Sequence, residues 1–116
     1  SLDQDIIQIN SYKVILKELE GMNLGSVRSF IDELKNKNEN LICVLASKDG
    51  DKSSLLVSSS KSIPKDVFSS NDLLQSLASL IGGKGGGKPD HAQAGGSQVK
   101  NFEKVFSEAT KYIQNL

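Results

Sequence analysis

The sequence predicts a small α/β domain: a single layered unit with a mixed β-sheet, about three helices and a glycine-rich loop before the last helix. Its 116 residues, 37% of them hydrophobic, are enough for one modest core. The hydrophobic period changes along the chain from strand-like alternation to helix-like spacing. A β-α-β order followed by a hairpin is typical of a layered fold with one sheet.

The first third of the chain predicts a strand and then a helix. Apolar and polar side chains alternate within residues 6–19, which indicates a half-buried strand, preceded by a short partner strand. Apolar residues then recur at helical spacing from Val27 to Leu34. Asn23 or Ser26 is available as the N-cap of this amphipathic helix.

The middle of the chain predicts a central strand and a hairpin. Residues 41–46 are apolar on both faces, and they include Cys43, which we expect to be buried. Asp49 and Gly50 form a strong turn signal before a short strand at residues 55–57. We expect residues 58–64 to be irregular. A lone cysteine excludes an internal disulfide and fits a reducing compartment.

Two more helices are predicted in the last part of the chain. Asn71 is the expected N-cap of the second helix, and Gly82 is its expected stop. Ser97 is the expected N-cap of the last helix, which carries a continuous apolar stripe from Val99 to Leu116.

Charge and hydropathy limit the classes of function. The formal net charge is zero, so any nucleic-acid contact must come from a local patch and not from a basic domain as a whole. No apolar stretch is long enough to span a membrane, and no secretory signal opens the chain. We therefore expect a soluble, cytoplasmic protein. The start at Ser1, without a methionine, suggests a piece of a longer polypeptide.

The most informative stretch runs from Gly82 to Gly96 and reads GGKGGGKPDHAQAGG. Glycines expose backbone amides beside the fixed charges of Lys84 and Lys88, which predicts an anion-binding or phosphate-binding loop. We expect an ordered loop and not a flexible linker, because Pro89-Asp90 is a rigid turn pair and amphipathic helices lie on both sides.

Catalysis is not predicted for this stretch. Gly82 to Lys88 fits G-x-x-x-x-G-K, but Pro89 replaces the required Ser or Thr, and the dinucleotide pattern G-x-G-x-x-G is absent. His91, the lone histidine, cannot form a metal site with the distant Cys43, and we expect it to pack or hydrogen-bond within the loop. Asp90 is expected to form the turn. We therefore predict no catalytic and no metal-binding residue.

The same stretch resembles a family signature, GGxGGG[KR]PxxAQAGG, of the C-terminal domain of alanyl-tRNA synthetase. The order of elements is similar to that domain over residues 8–116, and residues 1–7 would be the end of the preceding linker. One departure is His91, where members of the family often carry methionine.

The resemblance implies the domain associated with DHH phosphoesterases, a non-catalytic, tRNA-binding module of alanine-tRNA ligase. In that family it contacts the elbow of tRNA(Ala) and helps couple aminoacylation with editing. The implied partners are the tRNA elbow and the other synthetase domains, with a homodimer as a further option. No cofactor is expected in this segment, whereas ATP, Mg and Zn are expected to act in other domains of the parent enzyme.

The predicted RNA contacts combine glycine amides with lysine charge, and binding is expected to be weak and sensitive to salt. Lys100 and Lys104, a turn apart on the predicted last helix, could extend the patch, although a solvated helix face is the favoured interpretation.

Two alternatives to RNA binding stay open: a dimerisation module built on the last helix, and a nucleotide-substrate-binding domain of a DHH-type phosphoesterase. The predicted RNA-binding residues are Gly83, Lys84, Gly85, Gly86, Gly87, Lys88, Gln93, Gly95 and Gly96.

Overall fold

A computed structural model describes residues 2–97 and 99–116. Within these residues, a six-stranded mixed sheet packs with three α-helices, which confirms the predicted fold class. The elements are β1 (Ile7–Ile9), β2 (Tyr12–Glu18), α1 (Arg28–Lys37), β3 (Leu41–Asp49), β4 (Lys52–Ser59), α2 (Ser70–Ala78), β5 (Lys84–Lys88), β6 (His91–Ser97) and α3 (Glu103–Gln114). The strand order across the sheet is β1-β2-β3-β4-β6-β5.

The β2-α1-β3 unit forms as predicted. Strands β2 and β3 are parallel, with Val14 opposite Ile42, and the short strand β1 adds to β2 antiparallel. A 3₁₀ turn, Leu24–Val27, leads into α1. The Oδ1 atom of Asn23 accepts a hydrogen bond from the Gly25 N–H at 2.8 Å, so Asn23 caps this turn. Helix α1 itself has Val27, and neither Asn23 nor Ser26, at its N-cap position, without a capping side chain.

The sheet buries a hydrophobic layer on each of its faces, because successive side chains of a strand point to opposite sides. Val44 and Val57 belong to the layer that packs against α2 and α3. Cys43 and Leu45 belong to the layer on the α1 side, and the predicted burial of Cys43 is confirmed. None of the helices in the described part of the chain is long and apolar enough to cross a bilayer.

The last helix begins later than predicted. Ser97 is not its N-cap, because this residue is still part of β6 and lies opposite Lys52 of β4. Helix α3 starts at Glu103, whose N–H donates to the Oδ1 atom of Asn101 at 3.0 Å. Lys100 therefore precedes the helix, and the prediction that it lies a turn from Lys104 on one helix was wrong.

The apolar stripe of the last helix packs inside the domain. Val105, Ala109 and Ile113 are buried in the core layer that α3 shares with α2. Leu116, the predicted end of the stripe, is 40% exposed. The buried residues of the stripe thus pack within the domain itself.

Two other boundaries differ from the prediction. Helix α2 has Ser69, and not Asn71, as its N-cap, since the Ser69 side chain accepts from the Asp72 N–H. Strand β4 continues through Ser58 and Ser59, which were expected to be irregular. Buried serines can extend the strand because their hydroxyl groups find partners; the Ser59 and Ser70 Oγ atoms are 2.8 Å apart.

The first residues also contact the domain. Leu2 is buried in the layer on the α1 side, and β1 already begins at Ile7. The predicted boundary between a linker, residues 1–7, and the domain, residues 8–116, stays a prediction.

Candidate nucleic-acid interface

The glycine-rich stretch forms a β-hairpin where a loop was expected. Strands β5 and β6 pair antiparallel, with Gly86 opposite Gln93, and Pro89-Asp90 forms the turn between them. The role of Asp90 in the turn is confirmed. Strand β5 is the edge of the sheet, and its glycines Gly85, Gly86 and Gly87 are exposed to solvent.

Alternate glycines of this hairpin allow its two backbones to approach closely. A Cβ atom at Gly85 would overlap the carbonyl oxygen of Gln93, and one at Gly87 would overlap that of His91. Gly86 differs, since the nearest atom to its Cβ would be the Asn71 Oδ1 at 3.8 Å. Glycine is therefore required at Gly85 and Gly87 for the two strands to pack. The prediction of a loop lined by amides did not include this packing role.

The base of the hairpin is fixed to the preceding helical segment. Gly82 ends that segment in the left-handed conformation, with φ of 60°, which confirms it as the stop. The Gly83 N–H donates to the Ala78 carbonyl oxygen at 3.0 Å. On the edge strand, the Gln75 Nε2 atom of α2 donates to the Gly85 carbonyl oxygen at 2.9 Å. The hairpin is thus ordered, as expected, and is not a linker.

The turn of the hairpin is held by three other elements. The Ser70 N–H, at the start of α2, donates to the Pro89 carbonyl oxygen at 2.6 Å. The Asp90 carbonyl oxygen accepts from the Ser59 N–H of β4 and from the Lys35 Nζ of α1, each at 3.0 Å. The position of the turn relative to both helices is therefore well defined.

His91 lies under this turn and is 8% exposed. Its Nδ1 atom is 3.0 Å from the Ser58 Oγ, and its Nε2 atom is 3.0 Å from the Gln93 Nε2. Burial lowers the pKa of His91, and the nearby positive charges of Arg28 and Lys35 lower it further. The expected packing and hydrogen-bonding role of His91 is confirmed.

Positive charge lies along the edge strand. Lys84 and Lys88 are the two ends of β5, roughly 13 Å apart at the usual rise of a strand, and both are exposed. In the described part of the chain, neither lysine has a carboxylate oxygen within 4.0 Å. Their ammonium groups are therefore available to an anionic ligand.

A cleft beside the hairpin brings together residues that are distant in sequence. It has a volume of about 320 Å³, and Arg28, at the start of α1, contributes to its wall. Sequence analysis missed Arg28, because no local signal places the start of α1 beside the glycine stretch. The cleft is lined by Arg28, Gly86, Gly87, Lys88, His91, Ala92 and Gln93.

The other predicted RNA contacts fall outside this cleft. Gly95 lines a second shallow cleft of about 300 Å³, and Gln93 borders both clefts. Gly83 and Gly96 are packed at the base of the hairpin, where a Cβ atom would overlap the backbone of Gly95 or Ile81. Lys84 lies at the same end. The predicted set is thus divided between two clefts and the packed base of the hairpin, and Gly85 lines neither cleft.

The described residues contain no group of three or more His, Cys, Asp or Glu side chains that could hold a metal ion. His91 and Cys43, the two side chains considered from the sequence, lie on either side of Ser58, which pairs with Cys43 of β3 and with His91 of β6. The expected absence of a metal site in this chain stays a prediction, as do the expected ATP, Mg and Zn of other domains.

Comparison with protein families identifies the family of this chain. A family model described as the DHHA1 domain matches residues 11–115. The chain belongs to the DHHA1 domain family. This DHHA1 domain is 39% identical, over all 116 residues, to the alanine--tRNA ligases of Staphylococcus aureus strains JH9 and Newman. It spans 13% of the length of each ligase.

A solved structure shares the architecture of this DHHA1 domain. It is similar to the C-Ala domain of alanyl-tRNA synthetase from Aquifex aeolicus, with a TM-score of 0.85 and 21% sequence identity. The match covers 94% of this chain and 97% of that one. The resemblance to the alanyl-tRNA synthetase C-terminal domain, predicted from the glycine-rich signature, is confirmed.

Proposed function

We propose that this DHHA1 domain is a non-catalytic, tRNA-binding C-terminal domain of a cytoplasmic alanyl-tRNA synthetase. It contacts the elbow of tRNA(Ala) through the glycine hairpin and so helps one bound tRNA serve both aminoacylation and editing. The observation that carries the proposal is the cleft in which Arg28 and Lys88 flank the open main chain of Gly86 and Gly87. The similarity to whole alanine--tRNA ligases supports the identity of the parent enzyme.

The chemistry of the cleft suits RNA. A guanidinium and an ammonium group make charge-assisted hydrogen bonds to phosphate oxygens, and these contacts fix the position of a backbone. The exposed glycines of β5 carry no side chain that would keep RNA from the main chain, so a flat surface of stacked bases can approach closely. Arg28, Lys84 and Lys88 give three candidate phosphate contacts.

Few contacts imply weak binding that depends strongly on salt. Three neutralised phosphates predict a slope of about −2 to −3 for log K against log salt, or a loss of about 30-fold between 50 and 200 mM salt. In the parent enzyme, tethering to the other synthetase domains raises the effective concentration of tRNA at this cleft, so weak binding is sufficient.

The test is tRNA binding by charge variants of the 116-residue chain. We expect Lys84→Ala/Lys88→Ala and Arg28→Ala each to weaken binding of a tRNA(Ala) transcript and to lower the salt slope. The matched control is Lys37→Ala/Lys111→Ala, which removes two exposed lysines from α1 and α3 that line neither cleft.

A second comparison separates elbow recognition from general RNA binding. A transcript with disrupted elbow pairing should bind the wild-type domain weakly. Its affinity should be about the same as that of the intact transcript for the Lys84→Ala/Lys88→Ala variant. Equal loss of affinity in the variant and in the control would refute a specific role for the hairpin, and equal binding of both transcripts would refute the elbow.

The two alternatives are less well supported. The dimerisation module was inferred from the long apolar stripe of the last helix, but Val105, Ala109 and Ile113 are buried within the domain itself. Similarity to the ligases extends over the whole chain, which favours a synthetase over a DHH-type phosphoesterase as the parent protein. ATP, Mg and Zn would then serve the other domains of that synthetase.

A further inference from the structure

Gln93 and His91 are two positions apart on β6, so their side chains lie on the same face of the strand. The Gln93 Nε2 atom is 3.0 Å from the His91 Nε2 atom. His91 is buried, whereas Gln93 is exposed and borders both clefts beside the hairpin. A buried ring therefore contacts an amide side chain that lines both clefts.

The partners of Ser58 determine which nitrogen of His91 carries the proton. An ammonium group can only donate, so the Ser58 Oγ accepts from the Lys35 Nζ at 2.9 Å. The Ser58 hydroxyl proton is directed to the Asp90 carbonyl oxygen at 3.0 Å. With that proton directed to Asp90, the Nδ1 atom of His91 donates to the Ser58 Oγ, and its Nε2 atom accepts from the Gln93 Nε2 group, which can only donate.

This tautomer fixes the orientation of the Gln93 amide. Its NH₂ group is directed to the imidazole, so the carbonyl oxygen Oε1, at the other end of the planar amide, faces away from the ring. Gln93 therefore offers an oriented acceptor to a ligand in the clefts. An unsupported glutamine could present either end.

We propose that His91 is a positioning residue that holds the Gln93 amide with Oε1 available to a hydrogen-bond donor of the RNA. The proposal rests on the function proposed above and adds a chemical class of contact to it. The donor is a neutral N–H or O–H group, either a base amino group or a ribose 2′-hydroxyl.

Protonation of His91 reverses this arrangement. The Nε2 atom then carries a proton and donates, so the Gln93 amide must turn to accept with Oε1 and present its NH₂ group to the ligand. The charged groups that face the ring are Arg28, Lys35, Asp32 and Asp90, and Lys88 lines the same cleft. Since burial lowers the pKa of His91, the reversal requires a pH below its ordinary value of 6.5.

The pH dependence has a sign that distinguishes this mechanism from simple electrostatics. A new positive charge at His91 would strengthen RNA binding if charge alone mattered. Reversal of the amide places a donor against the donor of the RNA, so affinity should fall as the pH decreases from about 7.5 through the folded-state pKa of His91, which is lowered from 6.5. We expect a three- to tenfold loss, about the size of one hydrogen bond.

The experiment has two independent readouts on the 116-residue chain. The first is the ¹⁵N chemical shift of the His91 ring without RNA at about pH 7.5, where we expect the Nδ1–H tautomer. A ring protonated on Nε2 would overturn the proposal whatever the RNA data show.

The second readout is tRNA affinity of four variants at two pH values: about 7.5, and a lower pH at which the ¹⁵N shift shows that the His91 ring is protonated. His91→Leu and Gln93→Leu should each lose about three- to tenfold at the higher pH and should lose the wild-type pH dependence. His91→Gln, which keeps an acceptor that cannot titrate, should stay near wild type at both values. Ser107→Ala, at an exposed site on α3, is the control for changes in affinity that come from substitution or preparation of the protein and not from the cleft.

The outcomes separate this inference from the function on which it rests. If the wild type binds tRNA and the Gln93→Leu and His91→Leu variants bind it with the same affinity, the positioning role is overturned and the RNA site is retained. Absence of binding by the wild type would overturn both. If the role is supported, 2′-deoxy substitution and inosine substitution in the elbow separate a ribose donor from a guanine amino donor.

Discussion

The Lys35 ammonium group of α1 lies 3.0 Å from the carbonyl oxygen of Asp90, a residue 55 positions later in the chain, at the turn of the glycine hairpin. The side chain of Lys35 is only 8% exposed. Burial lowers the pKa of Lys35, while the nearby carboxylates of Asp90 and Asp32 act in the opposite direction. One cation thus links the first helix to the hairpin.

Replacing Lys35 should destabilise the domain. In Lys35→Met, the carbonyl oxygen of Asp90 and the hydroxyl of Ser58 each lose a charged donor, which we expect to lower the free energy of unfolding by about 2 kcal/mol. Urea denaturation measures the change. Lys37→Met, at an exposed position of the same helix, is the control and should stay within about 0.5 kcal/mol of wild type. Equal effects of the two substitutions would contradict the role of this contact.

Neighbouring glycines of β5 should respond differently to alanine. Gly85→Ala places a Cβ atom against the Gln93 carbonyl oxygen, and we expect a loss of about 1–3 kcal/mol, or displacement of the edge strand. Gly86→Ala places its Cβ atom 3.8 Å from the Asn71 Oδ1, an ordinary contact, and should change stability by less than about 1 kcal/mol. Thermal denaturation of both variants tests the pair. A larger loss for Gly86→Ala would show that the backbones are not packed as described.

The stability of the domain should depend on the protonation of His91. Its pKa is lowered in the folded chain, so below about 6.5 the unfolded chain binds the proton more readily than the folded one. The stabilisation is fully present above that pH and decreases as the pH falls toward the folded-state pKa. His91→Gln cannot titrate and should lose less stability than wild type between about pH 7 and pH 5.5, as measured by urea denaturation. Parallel losses in the two proteins would contradict this prediction.

Cys43 should be inert in the folded domain. It is completely buried in β3, and burial raises the pKa of its thiol to about 12. Alkylation requires the thiolate, so we expect labelling at about pH 8 to be slow in buffer and fast in denaturing urea. Mass spectrometry reads the result directly, because the chain has one cysteine. Rapid labelling of the native protein would show that β3 opens readily.

Features with a local physical cause could be predicted from the sequence. Asn23 caps a helical segment through its own side chain, the Asp49-Gly50 signal marks the tight turn at Gly50 and Asp51, and Gly82 adopts a conformation that favours glycine. Each signal is contained within a few residues. The strands of the mixed sheet and the burial of Cys43 were predicted from hydrophobic periodicity, which is also a property of short stretches of sequence.

Features that depend on pairing between distant segments could not be predicted in this way. Strand propensity disfavours glycine, so residues 84–88 were expected to form a loop. They form a strand because β6 pairs with them along one edge and α2 packs against them. Ser97 has the chemistry of an N-cap, but its place in β6 is set by pairing with β4. Arg28 joins the cleft only because the sheet brings α1 beside the hairpin.

The edge position of β5 has a consequence for self-association. An edge strand exposes unpaired backbone groups that can recruit a strand from another molecule, and glycine offers no side chain to prevent this. Lys84 and Lys88, at the two ends of β5, put like charges in the path of an incoming copy, and Gln75 already occupies the carbonyl oxygen of Gly85. The charges of Lys84 and Lys88 therefore disfavour edge-to-edge pairing of two copies of the domain.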